Sequence, residues 1–441
     1  MRKPLVAVVG RPNVGKSTFF NKIVGSRLAI VEDTPGVTRD RIIAEAEWVG
    51  HHFLLVDTGG IEPDNQEVIP AQMREQAEIA MDMADVIIFL VDGKAGVTAA
   101  DREIADMLRL KHKKVLLVVN KIDGRKLPED FYDFYELGLG DPYAISAVNQ
   151  LGLGDVLDEI VKKFPEGSES DDEDEISIAI IGKPNVGKSS IVNAFVGENR
   201  VIVSDIAGTT RDSIDTPFEH DGQKYVLIDT AGIRRRSKVT DEIEKYSVIR
   251  AMAAIERCDV ALLVIDGTEG ITEQDKKIVG LAHEAGKGIV IVVNKWDLVP
   301  KETNTMRDME RKIKGELTFM SYAPVMFTSA LKGQRLLPVL ETAKAVAMNR
   351  AMRVSTGQLN SLIQDAMMMN NPPSDKGKRL KIYYVSQIGV KPPLFSFQVN
   401  DREIMHFSYA RYLENKIREG YGFDGTSIKF VFREKGDKDA Q

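Results

Sequence analysis

The stretch Gly10-Arg11-Pro12-Asn13-Val14-Gly15-Lys16-Ser17 decides the fold, because it directly follows the apolar run Leu5 to Val9 and opens a helix-like segment. A glycine-rich loop that ends in Gly-Lys-Ser lets backbone N–H groups surround a phosphate at the positive end of a helix. The loop returns as Gly182-Lys183-Pro184-Asn185-Val186-Gly187-Lys188-Ser189, an offset of 172 (182 − 10). We therefore predict two phosphate-binding sites in one chain.

Three further short motifs recur in the same order and at nearly the same spacing. They are Thr38-Arg39-Asp40 with Thr210-Arg211-Asp212, Asp57-Thr58-Gly59-Gly60 with Asp229-Thr230-Ala231-Gly232, and Asn120-Lys121-Ile122-Asp123 with Asn294-Lys295-Trp296-Asp297. Four recurring motifs indicate a duplicated domain rather than chance. Each copy alternates apolar runs, such as Val86 to Val91 and Ile289 to Val293, with helix-like stretches. This pattern predicts two doubly wound α/β domains with mostly parallel sheets, which bind ligands beyond the carboxyl ends of their strands.

The phosphate loops predict the chemistry of the triphosphate. Lys16 and Lys188 are expected to bridge the β- and γ-phosphates, and the hydroxyls of Ser17 and Ser189 to ligate Mg²⁺. This loop alone predicts a nucleoside triphosphate and does not select a base.

A second set of residues is expected around the γ-phosphate. Asp57 and Asp229 end a strand at the place where a carboxylate holds Mg²⁺ through water. Thr38 and Thr210 could ligate Mg²⁺ and contact the γ-phosphate only while a nucleoside triphosphate is bound, although a turn or N-cap hydroxyl is the alternative for each. The neighbouring residues expected to line this part of the site are Thr58, Gly59, Gly60 and Ile61 in the first copy and Thr230, Ala231, Gly232 and Ile233 in the second.

The Asn-Lys-x-Asp motifs choose the base. A carboxylate accepts hydrogen bonds from both N1–H and the 2-amino group of guanine, so Asp123 and Asp297 are the predicted guanine readers. Adenine would leave such a carboxylate unpaired, which disfavours ATP. Other residues expected to shape this pocket are Asn120 and Asn294, which fasten the loop to the phosphate loop, Lys121 and Lys295, whose stems cover the base, and Ser146-Ala147 and Ser329-Ala330, whose N–H groups face guanine O6.

The composition is that of a globular protein. Of the 441 residues, 43% are apolar and 28% charged, and no apolar stretch approaches the roughly 20 residues of a membrane span. No signal-peptide pattern precedes Leu5, so we expect a cytoplasmic protein. The single cysteine, Cys258, permits no internal disulfide, and we interpret it as a small buried apolar residue rather than a catalytic thiol.

The charge is uneven along the chain, which has a net charge of −7. Residues 166–175 contain seven acidic residues and no basic one, which predicts a solvated linker. From Arg350 onward, 15 Lys and Arg face 10 Asp and Glu. A basic module on an acidic chain suggests a polyanionic partner. Lys376, Lys378, Arg379 and Lys381 cluster there, and either phosphate contact or a solvated edge explains them.

The last part of the chain predicts a small α+β domain. Its pattern is a helix at Ser355 to Met369, alternating strands at Leu380 to Val385 and Leu394 to Val399, a helix at Tyr409 to Glu419, and a strand at Ser427 to Phe432. Gly422-Phe423-Asp424-Gly425 matches Gly-x-x-Gly, but it precedes a strand, whereas an RNA-clamping loop joins two helices. We expect Met367 to Met369 to fill the core. The predicted domains are 1–165, a linker at 166–175, 176–346 and 347–441.

These motif pairs together resemble the bacterial tandem-domain GTPases of the Era/EngA-like family over essentially the whole chain. The resemblance implies two P-loop GTPase domains, an acidic linker and a C-terminal KH-like domain. It also implies a GTP/GDP switch, monomeric in solution, that acts in assembly and stability of the large ribosomal subunit and contacts that particle and its rRNA.

The chain departs from Ras-like GTPases after Asp-x-x-Gly, where Ile61 and Ile233 replace a water-orienting Gln. In related GTPases an Asn at the position of Asn13 and Asn185 helps to hold K⁺, so the resemblance implies K⁺-stimulated hydrolysis. Plain turn formation is the alternative for both asparagines.

Two other functional hypotheses remain at this stage. One copy could hydrolyse GTP while the other is a structural or regulatory GTP-binding module, because no repeated residue is lost from either. A membrane-acting GTPase is disfavoured, since neither a lipid anchor nor a basic amphipathic helix is evident.

Overall fold

The apolar runs of both copies form the central strands of two six-stranded sheets. The computed structural model describes residues 3–25, 43–57, 84–110, 114–124, 126–164, 175–198, 215–230, 244–375 and 377–434. The chain divides into two units, Met1–Glu173 and Asp174–Gln441. The first unit holds one sheet of the duplicated type, and the second unit holds the other together with a smaller C-terminal sheet.

The sheet of the first unit has the strand order β2-β3-β1-β4-β5-β6. Its strands are β1 (Leu5–Val9), β2 (Ile43–Trp48), β3 (His51–Asp57), β4 (Val86–Asp92), β5 (Lys114–Asn120) and β6 (Tyr143–Ala144). The helices described with it are α1 (Lys16–Gly25), α2 (Ala99–Leu110) and α3 (Leu153–Lys162), with a 3₁₀ segment at Glu129–Leu137. All neighbours are parallel except β2 and β3. The carboxyl ends of the parallel strands therefore meet at one edge, where Val8 pairs with Asp57 and Asp92 with Asn120.

The second sheet repeats this order. Its strands are β7 (Glu175–Ile181), β8 (Thr216–His220), β9 (Gln223–Ile228), β10 (Val260–Asp266), β11 (Gly288–Asn294) and β12 (Val325–Phe327). The helices described with it are α4 (Lys188–Glu198), α5 (Glu244–Arg257), α6 (Glu273–Glu284), α7 (Thr305–Glu316) and α8 (Leu337–Ala351), with 3₁₀ turns at Trp296–Leu298 and Thr318–Met320. The predicted doubly wound fold is confirmed in both copies.

Burial on both faces explains the unbroken apolar runs. In β10, Leu263 and Ile265 join a core cluster on one face, whereas Leu262 and Val264 join a cluster on the other. Neither face can carry a polar residue without burying it.

Each sheet also has an antiparallel edge strand that the sequence analysis missed. β2 and β8 pair antiparallel with the next strand through the two-residue turns Val49-Gly50 and Asp221-Gly222. All four turn residues have positive φ, which is typical of tight hairpins. Asp-Gly was therefore a readable hairpin signal in the second copy.

The C-terminal part forms an α+β domain as predicted. Its elements are α9 (Thr356–Met369), β13 (Ser374–Asp375), β14 (Lys378–Arg379), β15 (Ile382–Gly389), β16 (Leu394–Val399), α10 (Phe407–Tyr421) and β17 (Lys429–Glu434). The sheet order is β15-β16-β17, with β16 and β17 parallel. Phe395, Phe397 and Leu413 are fully buried between sheet and helices. The expectation that Met367 to Met369 fill this core is wrong for two of them, because Met368 is 81% and Met369 76% exposed at the end of α9.

This domain packs against the second GTPase-like sheet within the same unit. Gly425 accepts a hydrogen bond from the N–H of Ile289 (2.7 Å) and donates its own N–H to the carbonyl of Tyr322 (3.0 Å). Arg350, which is 5% exposed, donates to Asp259 Oδ1 at 2.9 Å, the Gly286 carbonyl at 3.0 Å and the Lys391 carbonyl at 3.1 Å. Main-chain and charged hydrogen bonds therefore fix how the two parts sit together.

Among the residues that the structure describes, no helix has the length and apolar character needed to cross a membrane.

Candidate nucleotide-binding sites

The phosphate loops lie between a central strand and a helix N-terminus in both copies. α1 begins at Lys16, and its Nζ donates to the carbonyls of Gly10 (2.9 Å) and Arg11 (3.0 Å). Lys188 opens α4 in the same way and donates to the carbonyl of Gly182 at 2.7 Å. Each ammonium group is thus held at the mouth of the loop, where the helix N-terminus also attracts an anion.

A glycine is required directly before the lysine of each loop. Gly15 has φ of 99° and Gly187 of 100°, and a Cβ there would lie 2.4 Å and 2.1 Å from the Nδ2 atoms of Asn120 and Asn294. Any side chain would therefore displace the asparagine that ends β5 or β11 in the same site.

Those asparagines join three loops in each copy. Asn120 donates through Nδ2 to the carbonyl of Val14 (2.8 Å) and accepts through Oδ1 from the N–H of Ala147 (3.0 Å). Asn294 makes the same pair of contacts, with the Val186 carbonyl at 2.9 Å and the Ala330 N–H at 3.0 Å. The phosphate loop, the Asn-Lys-x-Asp loop and the Ser-Ala loop are thereby locked together in each copy.

The predicted guanine readers are held by serine hydroxyl groups. Ser146 Oγ donates to Asp123 Oδ1 at 2.8 Å, and Lys94 Nζ lies 2.6 Å from Asp123 Oδ2. The hydrogen bond from Lys94, followed by that from Ser146, lowers the pKa of Asp123. In the second copy a hydrogen bond from Ser329 lowers the pKa of Asp297. Both groups are ionised acceptors at neutral pH, as guanine N1–H and the 2-amino group require.

The serine-alanine pairs differ from the expectation in one respect. The N–H groups that were predicted to face guanine O6 donate to other protein atoms. In the first copy the N–H of Ser146 donates to the Leu151 carbonyl (3.1 Å), and the N–H of Ala147 donates to Asn120 Oδ1. Ser329 donates to the Gln334 carbonyl (3.2 Å), and Ala330 to Asn294. A short antiparallel bridge closes each loop and uses the serine amide, so the serine contributes its hydroxyl to the site instead.

The predicted magnesium residues come together in the first copy. Ser17 Oγ donates to Asp57 Oδ2 at 2.7 Å, which places a hydroxyl and a carboxylate side by side at the end of β3. Such oxygen ligands suit Mg²⁺. In the second copy Asp229 lies one residue beyond β9, and Thr230 is 2% exposed with its Oγ1 2.7 Å from Thr216 Oγ1.

Sequence reasoning missed a carboxylate at the end of the next strand. Asp92 Oδ2 accepts from Lys121 Nζ at 2.7 Å, and Asp266 Oδ2 accepts from Lys295 Nζ at 2.7 Å. Burial acts to raise the pKa of Asp266, but hydrogen bonds from Lys295 and Thr268 outweigh it and lower the pKa to about 2. The sequence contained a signal for this carboxylate, because Asp92-Gly93 and Asp266-Gly267 directly follow the corresponding apolar runs of the two copies.

The two phosphate loops share the residue and conformation of their fourth position and differ at their second position. Asn13 and Asn185 have φ of 64° and 63°, a left-handed conformation that asparagine tolerates well. Arg11 Nε lies 3.6 Å from the buried carboxylate of Asp101, whereas Lys183 pairs with Glu269. The left-handed φ of both asparagines fits the turn-forming alternative, and K⁺ binding by them stays a prediction.

Several predicted site residues lie outside the described residues. They are Thr38, Thr58, Gly59, Gly60 and Ile61 in the first copy and Thr210, Ala231, Gly232 and Ile233 in the second.

Two family models match parts of the chain. A family model described as "50S ribosome-binding GTPase" matches residues 5–121 and 177–295. A second, described as "KH-domain-like of EngA bacterial GTPase enzymes, C-terminal", matches residues 353–433.

Curated relatives match over the full length. The "GTPase Der" of Alkaliphilus metalliredigens is 62% identical over 440 residues, which cover 100% of both chains. The "GTPase Der" of Alkaliphilus oremlandii is 61% identical over 440 residues, and that of Lachnospira eligens 59% over 441 residues, again with 100% of both chains covered.

Proposed function

The chain belongs to the Der family of GTPases, and from that premise we propose that it is a GTP-hydrolysing switch in the assembly of the large ribosomal subunit. Each copy binds one guanine nucleotide in this proposal. The observation that carries it is the duplicated cradle, in which Lys16 and Lys188 stand at a helix N-terminus while Asn120 and Asn294 lock the base loop to the phosphate loop.

Recognition of guanine rests on Asp123 and Asp297. Each carboxylate is ionised and accepts from a serine hydroxyl, which leaves further lone pairs for N1–H and the 2-amino group. A lysine lies beside the other carboxylate oxygen in both copies: Lys94 Nζ is 2.6 Å from Asp123 Oδ2, and Lys332 Nζ is 3.7 Å from Asp297 Oδ2. Guanine must therefore compete with an exposed ammonium group in each site, so nucleotide binding at both sites should depend on salt.

Hydrolysis needs groups that stabilise charge on the triphosphate. Mg²⁺, when bound, would neutralise charge on the β- and γ-phosphates, and the Ser17 and Asp57 oxygens fit it. Lys16 and Lys188 would contact the same phosphates. Two single variants, Lys16→Ala and Lys188→Ala, test whether both copies hydrolyse GTP or one copy only binds it. If both copies turn over, each variant keeps a fraction of the wild-type rate; if one copy is a structural module, one variant abolishes turnover and the other leaves it intact.

Stimulation by K⁺ is part of the proposal. Asn13 and Asn185 are placed in the phosphate loops where K⁺ could replace the positive charge of an arginine finger. GTP turnover should be faster in KCl than in NaCl at equal ionic strength, and Asn13→Ala with Asn185→Ala should remove the difference. Equal rates of the wild type in the two salts would leave the asparagines as turn formers.

The large ribosomal subunit and its rRNA are the proposed partners. The support is the family to which the chain belongs and the basic C-terminal domain, in which Lys378, Arg379 and Lys381 lie on and beside a short hairpin. Sedimentation of lysate with GDP, GTP or a non-hydrolysable GTP analogue tests this. Co-migration with large subunits in the analogue alone is the expected result, and equal distribution with all three nucleotides would contradict a nucleotide switch.

A further inference from the structure

A buried ion pair lies beside the second nucleotide site. Arg257 donates through Nη2 to Asp215 Oδ2, and the two side chains are 5% and 8% exposed. Asp215 directly precedes β8, and Arg257 is the last residue of α5. Because desolvation offsets most of the attraction in a buried pair, apolar residues of similar volume would serve stability as well. Stability alone therefore does not explain the pair.

The same carboxylate holds the backbone of Asp229. Asp215 Oδ1 accepts a hydrogen bond from the N–H of Asp229 at 3.0 Å. Asp229 has φ of 56°, in the left-handed region, whereas the aligned Asp57 is the last residue of β3 and is extended. A left-handed aspartate is strained unless its surroundings fix it. The position of Asp229 thus depends directly on Asp215 and, through Asp215, on Arg257.

The first copy has apolar residues at the aligned positions. The offset of 172 aligns Asp215 with Ile43, and the offset of 174 aligns Arg257 with Met83. Ile43 is 7% exposed and cannot accept a hydrogen bond through its side chain. The second copy therefore has an aspartate and an arginine where the sequence of the first copy has an isoleucine and a methionine, next to motifs that the two copies share.

We propose that Asp215 and Arg257 are positioning residues that hold Asp229 ready for Mg²⁺ in the second site alone. The inference rests on the proposed function, in which Asp229 faces the Mg²⁺ of the bound nucleotide. Asp215 fixes the Asp229 backbone, and Arg257 orients and neutralises Asp215. Magnesium-dependent nucleotide binding at the second site then depends on a pair that the first site replaces with apolar side chains.

The test replaces Asp215 and Arg257 by the residues that the first copy has at the aligned positions. Asp215→Ile with Arg257→Met is made in full-length protein that also carries Lys16→Ala, so that calorimetry reports the second site. Binding of a non-hydrolysable GTP analogue is measured in EDTA and in saturating Mg²⁺. The magnesium gain is the ratio of the affinity in saturating Mg²⁺ to the affinity in EDTA. We expect the affinity of the double variant in EDTA to stay within about twofold of the parent. Its magnesium gain should fall about tenfold, which corresponds to about 1.4 kcal/mol. In the Lys188→Ala background, the same pair of substitutions should leave the magnesium gain of the first site unchanged.

The outcomes separate the inference from its premise. A parent that shows no gain from Mg²⁺ would overturn the proposed magnesium role of Asp229, and the inference with it. A parent that shows the gain and a double variant that keeps it would overturn the positioning role alone. Equal weakening in EDTA and in Mg²⁺ would also overturn it, because a merely structural pair affects both conditions alike.

A second variant covers the case in which the double variant does not unfold cooperatively. Asp215→Asn keeps the volume of the side chain and an oxygen for the Asp229 N–H, whereas Asp215→Ala removes both. We expect the magnesium gain to decrease in the order wild type, Asp215→Asn, Asp215→Ala. An identical gain in all three proteins would overturn the inference.

Discussion

Replacement of Asn294 by alanine should destabilise the second GTPase domain by about 3 kcal/mol. Asn294 is 2% exposed and bonds to the Val186 carbonyl and the Ala330 N–H at 2.9 and 3.0 Å. The variant leaves one buried acceptor and one buried donor without these partners. At about 1 to 3 kcal/mol for each unsatisfied group, the loss is about 2 to 6 kcal/mol, and water that enters the space moves it toward the lower end.

The two tryptophans of the chain allow this to be measured in the second domain alone. Trp48 lies in the first sheet, and Trp296 follows β11, where it is 7% exposed and packs against Phe327. In a Trp48→Phe background, the fluorescence of Trp296 reports unfolding of the second domain in urea. With a slope of about 2 kcal/mol per molar urea, a loss of 3 kcal/mol moves the midpoint by about 1.5 M.

The matched control is Asn304→Ala. Asn304 is exposed at the start of α7, and its side chain makes no capping hydrogen bond, so its midpoint should stay within about 0.3 M of the parent. If Asn294→Ala unfolded at the same urea concentration as Asn304→Ala, the bonds between the loops would not stabilise the domain, and the reasoning above would be wrong.

Four further outcomes follow from the structure. Gly187→Ala should lower GDP affinity at the second site at least about 100-fold by calorimetry, because its Cβ would lie 2.1 Å from Asn294 Nδ2. Cys258 should resist iodoacetamide until the protein is unfolded, because burial raises the pKa of its thiol to about 11. The pKa of Asp266 is about 2 in the folded protein and near 3.8 in the unfolded protein, so ionised Asp266 stabilises the fold above about pH 4, and this stabilisation is lost as the pH falls toward 2. In Asp266→Asn, the free energy of unfolding measured by Trp296 fluorescence should therefore decrease less between pH 4 and pH 2. Arg350→Met should weaken the packing of the C-terminal domain by about 3 kcal/mol, because Asp259 Oδ1 loses its arginine partner. Faster limited proteolysis near residue 350 would report this change.

The sequence was sufficient for the central strands and for the positions of the motifs. Strands covered on both faces, such as β10 and β11, must be apolar throughout, so they stand out as continuous runs. Edge strands have no such requirement. β2 reads Ile-Ala-Glu-Ala-Glu-Trp, in which Glu45 and Glu47 alternate with the buried Ala44 and Ala46, so its signal is a short alternation rather than an apolar run.

The details of the pockets were less readable, because they depend on where long side chains end. The stem of Lys121 was expected to cover the base, but the position of its Nζ, on Asp92 and on the carbonyl of Asn13, follows from strand register rather than from the motif. Likewise, the amide of Ser146 was not available for guanine, because the loop closes on Leu151 five residues later. Local motifs thus predicted which residues meet, and tertiary packing decided which atoms they use.

The loop Gly422-Phe423-Asp424-Gly425 shows how a motif in letters can serve another purpose. Phe423 has φ of 63° and is fully buried in the C-terminal core, so this residue faces inward rather than toward a ligand. Gly425 has φ of 77°, and a Cβ there would lie 2.2 Å from Cγ2 of Val346 in α8. Only glycine permits this approach, and it brings the loop carbonyl onto the N–H of Ile289 at the start of β11. Because β11 ends at Asn294 in the nucleotide site, the loop ties the C-terminal domain to the strand that positions the guanine-reading loop.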